Sequence, residues 1–200
     1  MKNCNSEIYH AVALLHAQYI NKGFLSSLGV PFLTLLYEAI DSDEKSVLLV
    51  EKVDDVVVGY VSGTSSMRSI YKQLLMRLPR LLWLILPSFF SLSRIRKILE
   101  VFFFTKQNKC VVHLPHEELL SIVVTPARQG KGYAEKLFVD LCYYFGNNGA
   151  NGFHIVVGNH LYQAHSFYLK LGSEPIGEVE VHKGERSTVY LKRLNGKVLQ

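Results

Sequence analysis

The stretch SIVVTPARQGKGYAEKL, Ser121 to Leu137, changes character at its midpoint. A β-branched run stops at Pro126, a basic turn with Gly130 and Gly132 follows, and then apolar residues recur at helical spacing. The first-turn amides of a helix have no main-chain partner, and the helix start carries a positive partial charge. Glycine lets an anion approach the main chain closely, and Arg128 and Lys131 add charge. The segment reads as a strand, an anion cradle suited to pyrophosphate, and a helix. It is not a Walker P-loop, because Gly132 follows Lys131 where that motif needs Ser or Thr. It is not a dinucleotide fingerprint either, for lack of G-x-G-x-x-G and of an acidic partner on the next strand.

Outward from this stretch, periodicity supplies the remaining elements. Ile8, Val12, Leu15 and Tyr19 predict a helix from Glu7 to about Asn21, and Phe32, Leu35, Leu36 and Ala39 predict a second from about Pro31 to Ile40. KSVLLVEKVDDVVVGYVSGTSS reads as two strands about an Asp54-Asp55 turn. EELLSIVVT is a strand, and the helix after the cradle runs from Gly132 to about Phe145. GFHIVVGN is a buried strand, and QAHSFYLKLG is a helix stopped by Gly172. The chain closes as a hairpin turning near Gly184. The expected architecture is α/β in a single domain: a mixed central sheet flanked by helices, with no repeat and no linker.

The 200 residues, 48% hydrophobic and 20% charged, are enough for a sizeable core and argue against disorder. The net charge of +5 favours anionic ligands but is too diffuse for DNA, and helix-turn-helix and zinc-finger patterns are absent, so no nucleic-acid partner is expected. Cys4, Cys110 and Cys142 are far apart and outside any CxxC spacing, which points to reduced thiols and a cytoplasmic setting. The first twenty residues contain Glu7, His10 and His16 and do not read as a signal peptide. The longest uncharged apolar run, Leu81 to Ser93, falls short of the roughly 20 residues of a membrane span and contains Pro87. His113 and His116 lack a further ligand cluster, so no metal site is expected.

Two motifs carry a family resemblance. VVTPARQGKGYA resembles motif A of the GNAT acetyltransferases, with Gln129, Gly132 and Ala134 in the Gln/Arg-x-x-Gly-x-Gly/Ala positions and Val124 and Pro126 upstream. One strand and one helix later, AHSFYLKLG is similar to the family's A-x-x-x-Y-x-K-x-G helix through Ala164, Tyr168, Lys170 and Gly172. The resemblance spans about Glu117 to Gly172 and implies a GNAT fold with acetyl-CoA as cosubstrate. It also implies that the main chain of Ile122, Val123 and Val124 pairs with the pantetheine arm. Gln129, Gly130, Lys131, Gly132, Tyr133, Ala134 and Glu135 would surround the pyrophosphate, and Tyr168 would protonate the departing thiolate. Glu118 stands where the histone-acetyltransferase branch has its general base, with Glu117 and His116 as neighbouring rivals. Strand alternation predicts Glu118 on the same face as Ile122 and Val124. Many relatives carry an asparagine where this chain has Leu161; Asn159, two residues earlier, is the candidate for that cofactor contact.

Residues 66–104 lie outside the resemblance. They are basic, rich in Leu and Phe, and helical in period, and they read as a helical insertion before the motif A strand. The insertion can pack on its own domain, line an acceptor pocket, or lie peripherally on an anionic membrane at the inner face. The expected activity is transfer of an acetyl group to a primary amine of a small molecule, with an amino sugar on a nucleotide or lipid carrier favoured. A protein N-terminus or lysine is the other acceptor class. A non-catalytic acyl-CoA sensor or scaffold is the alternative, and a homodimer is left open.

Overall fold

The computed structural model describes residues 5–20, 25–77, 114–182 and 185–194. Helices α1 (Asn5–Tyr19) and α2 (Val30–Asp41) come first, with a short 3-10 turn, Leu25–Leu28, between them. Strands β1 (Ser46–Val53) and β2 (Val56–Thr64), helix α3 (Met67–Met76) and strand β3 (Glu118–Val124) follow. The second half alternates α4 (Tyr133–Asn147), β4 (Gly152–Gly158), α5 (Tyr162–Lys170), β5 (Glu174–His182) and β6 (Glu185–Arg193). The helical expectation for residues 66–104 is met over α3; its remainder from residue 78, and the turn at Gly184, lie outside the described residues.

The strands form one mixed sheet in the order β1-β2-β3-β4-β6-β5. Among the described strands only β3 and β4 run parallel. Asp54 (φ 51°) and Asp55 (φ 60°) both adopt the left-handed conformation that a two-residue hairpin turn requires, which sets the β1–β2 register next to the turn, before an irregularity between Glu51 and Lys52 shifts it. One face of the sheet packs on α1, α2 and α3 through Val12, Leu33, Tyr37, Tyr60 and Ile70. The other packs on α4 and α5 through Leu137, Phe138, Phe145, Phe153 and Tyr168. Helix α4 lies so close to β2 that a Cβ on Gly63 would fall 2.8 Å from Phe145 and 2.9 Å from Leu141. The buried face of α1 is broader than the four-residue stripe suggests: Tyr9, Ala13 and His16 are buried, whereas Tyr19 is 38% exposed.

Two irregularities of β3 position everything that follows. Ser121 pairs with Ser62 and Leu119 with Gly63, so Leu120 is an extra residue, a β-bulge. Beyond Leu119↔Ile155 the β3–β4 register ends, and the two strands part.

Candidate active site

The bulge inverts the alternation of β3. Leu119, Ile122 and Val124 pack on the α4 side, whereas Leu120 and Val123 pack on the α1–α2 side. Ser121 bonds to Tyr37 of α2 and so faces that side too. Glu118, next to Leu119 and opposite His154, therefore faces α1 and α2. The expectation that it shares a face with Ile122 and Val124 is corrected: one inserted residue reverses the parity of everything before it.

Ile122, Val123 and Val124 pair with Val61, Tyr60 and Gly59 of β2. Their other edge has no β4 partner, so main-chain donors and acceptors line an open seam. At its end Thr125 N still donates to Val58 O (2.9 Å), and the turn Pro126–Arg128 carries the chain off the sheet. Gln129 Nε2 donates to Val124 O at 3.1 Å and holds the turn against the strand end. Gly130 (φ 71°) and Gly132 (φ 82°) are left-handed, and a Cβ on either would meet nothing within 4 Å. Glycine is needed here for backbone conformation, and the space above the turn is open. Helix α4 then starts without a side-chain cap, and Lys136 N to Gly132 O (2.9 Å) is its first main-chain bond. The amides of Tyr133, Ala134 and Glu135 have no helical acceptor. Lys131 is exposed beside them and Arg128 is half-buried. These residues suit a phosphate chain.

Glu135 has another engagement. Its carboxylate is held below the usual range first by its own main-chain N–H and then by Lys170, whose Nζ lies 3.3 Å away. That ion pair joins the first turn of α4 to the last of α5. Tyr168 sits in an aromatic nest with ring centroids 5.3 Å from Phe167, 6.0 Å from Phe138 and 6.1 Å from Tyr190. Burial drives its phenol far above the ordinary value, so it stays protonated at neutral pH. Among the described residues its hydroxyl has no hydrogen-bond partner, which leaves the proton available to a ligand.

Glu118 is 28% exposed, with Oε2 3.7 Å from His154 Nε2. Burial raises its carboxyl pKa and His154 opposes the rise. Nδ1 of His154 is buried without a partner. His116 and Glu117 instead line a depression of about 470 Å³ with Gly149, Asn151 and Arg193, at the end of β3 away from the cradle. His113 lies outside the described residues, and among those described no group of His, Cys, Asp or Glu could hold a metal. Asn159 is turned to the last hairpin: Nδ2 donates to Glu178 Oε1 (3.3 Å), and Oδ1 accepts from Thr188 (2.9 Å).

Sequence reasoning missed His154 and a cluster of His16, Tyr37, Tyr60, Ser62 and Ser121 at the bulge. The available signal was a polar residue within an apolar run, in GFHIVVGN and in the first helix.

Comparisons with known proteins agree with this geometry. Residues 17–173 match the family model described as acetyltransferase (GNAT) family. An aminoglycoside 6'-N-acetyltransferase complexed with coenzyme A superposes with a TM-score of 0.61 at 11% identity, covering 98% of this chain and 96% of that one. An N-acetyltransferase from Staphylococcus aureus Mu50 also gives 0.61 at 11% identity, over 95% and 94% of the two chains. An acetyltransferase of the GNAT family from Streptococcus pneumoniae gives 0.56 at 13%, over 95% of each. At such identities the structural likeness speaks for the fold alone. A comparison with curated protein sequences found no match. The family model covers most of the chain, and the protein is a member of the GNAT acetyltransferase family, an acyltransferase by fold and by motif.

Proposed function

We propose that the protein transfers an acetyl group from acetyl-CoA to a primary amine. One observation carries the reading: the candidate acid and base stand on opposite faces of an open seam that runs into an uncapped glycine turn. Tyr168 packs on the α4 side, and Glu118 faces α1 and α2. The edge of Ile122 to Val124 fits a pantetheine arm as an added strand, and the turn from Gln129 to Ala134 fits its pyrophosphate.

The chemistry follows from that division. An acceptor ammonium on the α1–α2 side loses a proton to Glu118 through ordered water. Its nitrogen then forms a C–N bond at the thioester carbonyl, the C–S bond breaks, the thiolate takes the Tyr168 proton, and the second proton shed by the nitrogen passes through water to restore the phenol. An amide and free CoA result. The half-buried Glu118 is a better base than an exposed carboxylate because its pKa is raised, and His154 beside it steadies the charge.

An amino sugar on a nucleotide or lipid carrier is the acceptor we favour, supported by the excess of Lys and Arg over acids between residues 66 and 104. CoA release should be followed with glucosamine, UDP-linked glucosamine, spermidine and an alanine-initiated peptide, alongside melting with and without acetyl-CoA. A rise in melting temperature without CoA release from any amine would leave a binding module, and no rise would remove the seam as a CoA site.

A further inference from the structure

The bulge of β3 meets a closed group of hydroxyls. Ser121 Oγ lies 2.8 Å from Ser62 Oγ and 3.2 Å from Tyr37 Oη. Tyr37 Oη lies 2.8 Å from Tyr60 Oη and 2.6 Å from His16 Nδ1. Tyr60 Oη is also 3.3 Å from that nitrogen. His16, Tyr37, Tyr60 and Ser62 are buried, and only Ser121 is half-exposed. The group therefore has one end open, at the first residue past the bulge, on the face of Glu118.

Counting hydrogens separates the two tautomers of His16. If His16 Nδ1 is a bare lone pair, Tyr37 donates to it, Tyr60 and Ser121 donate to Tyr37, and Ser62 donates to Ser121. Ser121 then turns its spare lone pair outward. If Nδ1 carries the hydrogen, Tyr37 accepts it and has one hydrogen to give, to Tyr60 or to Ser121; when Ser121 receives it, Ser121 is free to point its own hydrogen outward. The imidazole lone pair is the strongest base in the group and a phenol its strongest hydroxyl acid, so the first state gives the better 2.6 Å bond. Burial holds His16 neutral, with its pKa lowered to about 4, and Tyr60 protonated, with its own pushed up to about 12.

We propose that Ser121 receives an N–H of the acceptor amine on its outward lone pair, and that His16, acting through Tyr37, is the positioning residue that holds the serine in that sense. This rests on the acetyl-transfer reading above. Ser121 is the second residue of the span of β3 that β4 leaves unpaired, after Leu120, and it is three residues from Glu118, roughly 10 Å along the strand. An amine held there stands beside the seam with the base on its own side. A substrate offering a hydrogen-bond acceptor instead of a donor, such as an alcohol presenting its oxygen lone pair, is disfavoured at the same point.

The test has two arms. Long-range ¹H–¹⁵N spectra of the free protein at neutral pH should show His16 as the Nε2–H tautomer; an Nδ1–H tautomer or an imidazolium overturns the proposal. Kinetics with whichever of glucosamine, UDP-linked glucosamine, spermidine and an alanine-initiated peptide turns over form the second arm. Ser121→Ala and His16→Leu should each raise the amine KM about 10- to 100-fold, as expected for one lost hydrogen bond to a charged or polarised group. Acetyl-CoA affinity should not change. His16→Asn, whose Oδ1 can take the place of Nδ1 but carries no hydrogen, should recover most of the loss seen with leucine. An unchanged KM in Ser121→Ala, or asparagine as damaging as leucine, overturns the inference while transfer itself stands. If Ser121→Ala does not fold, the leucine–asparagine contrast and the tautomer still decide. Failure of every amine to turn over in the wild type instead removes the transfer reading, and with it the premise.

Discussion

Acid stability offers the sharpest test of the buried hydroxyl group. His16 is 5% exposed, and desolvation lowers its pKa from 6.5 to about 4. A depressed folded-state pKa means that the unfolded chain takes up the proton first as pH falls. The stabilisation is complete above the unfolded value of 6.5 and is lost progressively as pH falls to about 4. Each pH unit of difference between the states corresponds to ~1.4 kcal/mol, so His16 alone should withdraw about 3 kcal/mol over the full window and about 2 by pH 5. Against a total of roughly 5–15 kcal/mol, that is a large share. Other groups titrate in the same range, so the observable is the difference between wild type and His16→Asn, which keeps an acceptor for Tyr37 but cannot take up a proton. Urea unfolding followed by circular dichroism at pH 8, 7, 6 and 5 should give a constant difference above pH 7 and a widening one below, with wild type losing ground. Curves that stay parallel to pH 5 would refute the burial argument and the neutral imidazole with it.

Three further outcomes follow from the site. Gly132→Ala must hold φ 82° with a Cβ that meets no protein atom, so it should lower stability by ~1–2 kcal/mol, roughly 2–8 °C in melting temperature. That strain is common to free and bound states, so any added loss of acetyl-CoA affinity by calorimetry reports a ligand over the turn, and an unchanged affinity would count against it. Tyr168→Phe should lower turnover by about 10²- to 10³-fold with little change in melting temperature, because the hydroxyl has no partner among the described residues; wild-type turnover would reassign the acid. Glu118 has a raised folded-state pKa, so its contribution is complete below the unfolded pKa and is lost as pH rises through the folded one. Glu118→Gln should therefore be more stable than wild type at neutral pH, equal to it near pH 4, and impaired in turnover; equal stability at every pH would show that the carboxylate is not desolvated.

What could be read from the sequence was whatever is local. The Asp54-Asp55 turn, the Gln129 to Ala134 cradle and the Gly172 stop are set by backbone conformation within a few residues, so composition reveals them. The bulge at Leu120 left no such mark. Leucine is an unremarkable strand residue, and only the pairing with Gly63 and Ser62 of β2 shows that one residue is surplus. The face of Glu118 was misjudged for that reason. The parting of β3 from β4 was implied by family likeness alone, because parallel register depends on how two distant segments pack. His16 escaped notice because the apolar stripe of α1 was drawn too narrowly: a helix in a corner between sheet and neighbour buries more than one row.

The parting of β3 and β4 also has a consequence for water. Their ladder contains Glu118↔His154 and Leu119↔Ile155, and past it the facing edges of the two strands no longer pair with each other. Among the described residues those groups find no strand partner across the wedge, so in the free protein solvent is the natural partner for them. Any ligand that enters it dries the wedge and repeats much of the water's hydrogen bonding with its own amides. A turnover would then be a cycle of dewetting and rehydration, with product escape drawn by the return of water to backbone that β3 and β4 do not satisfy in each other.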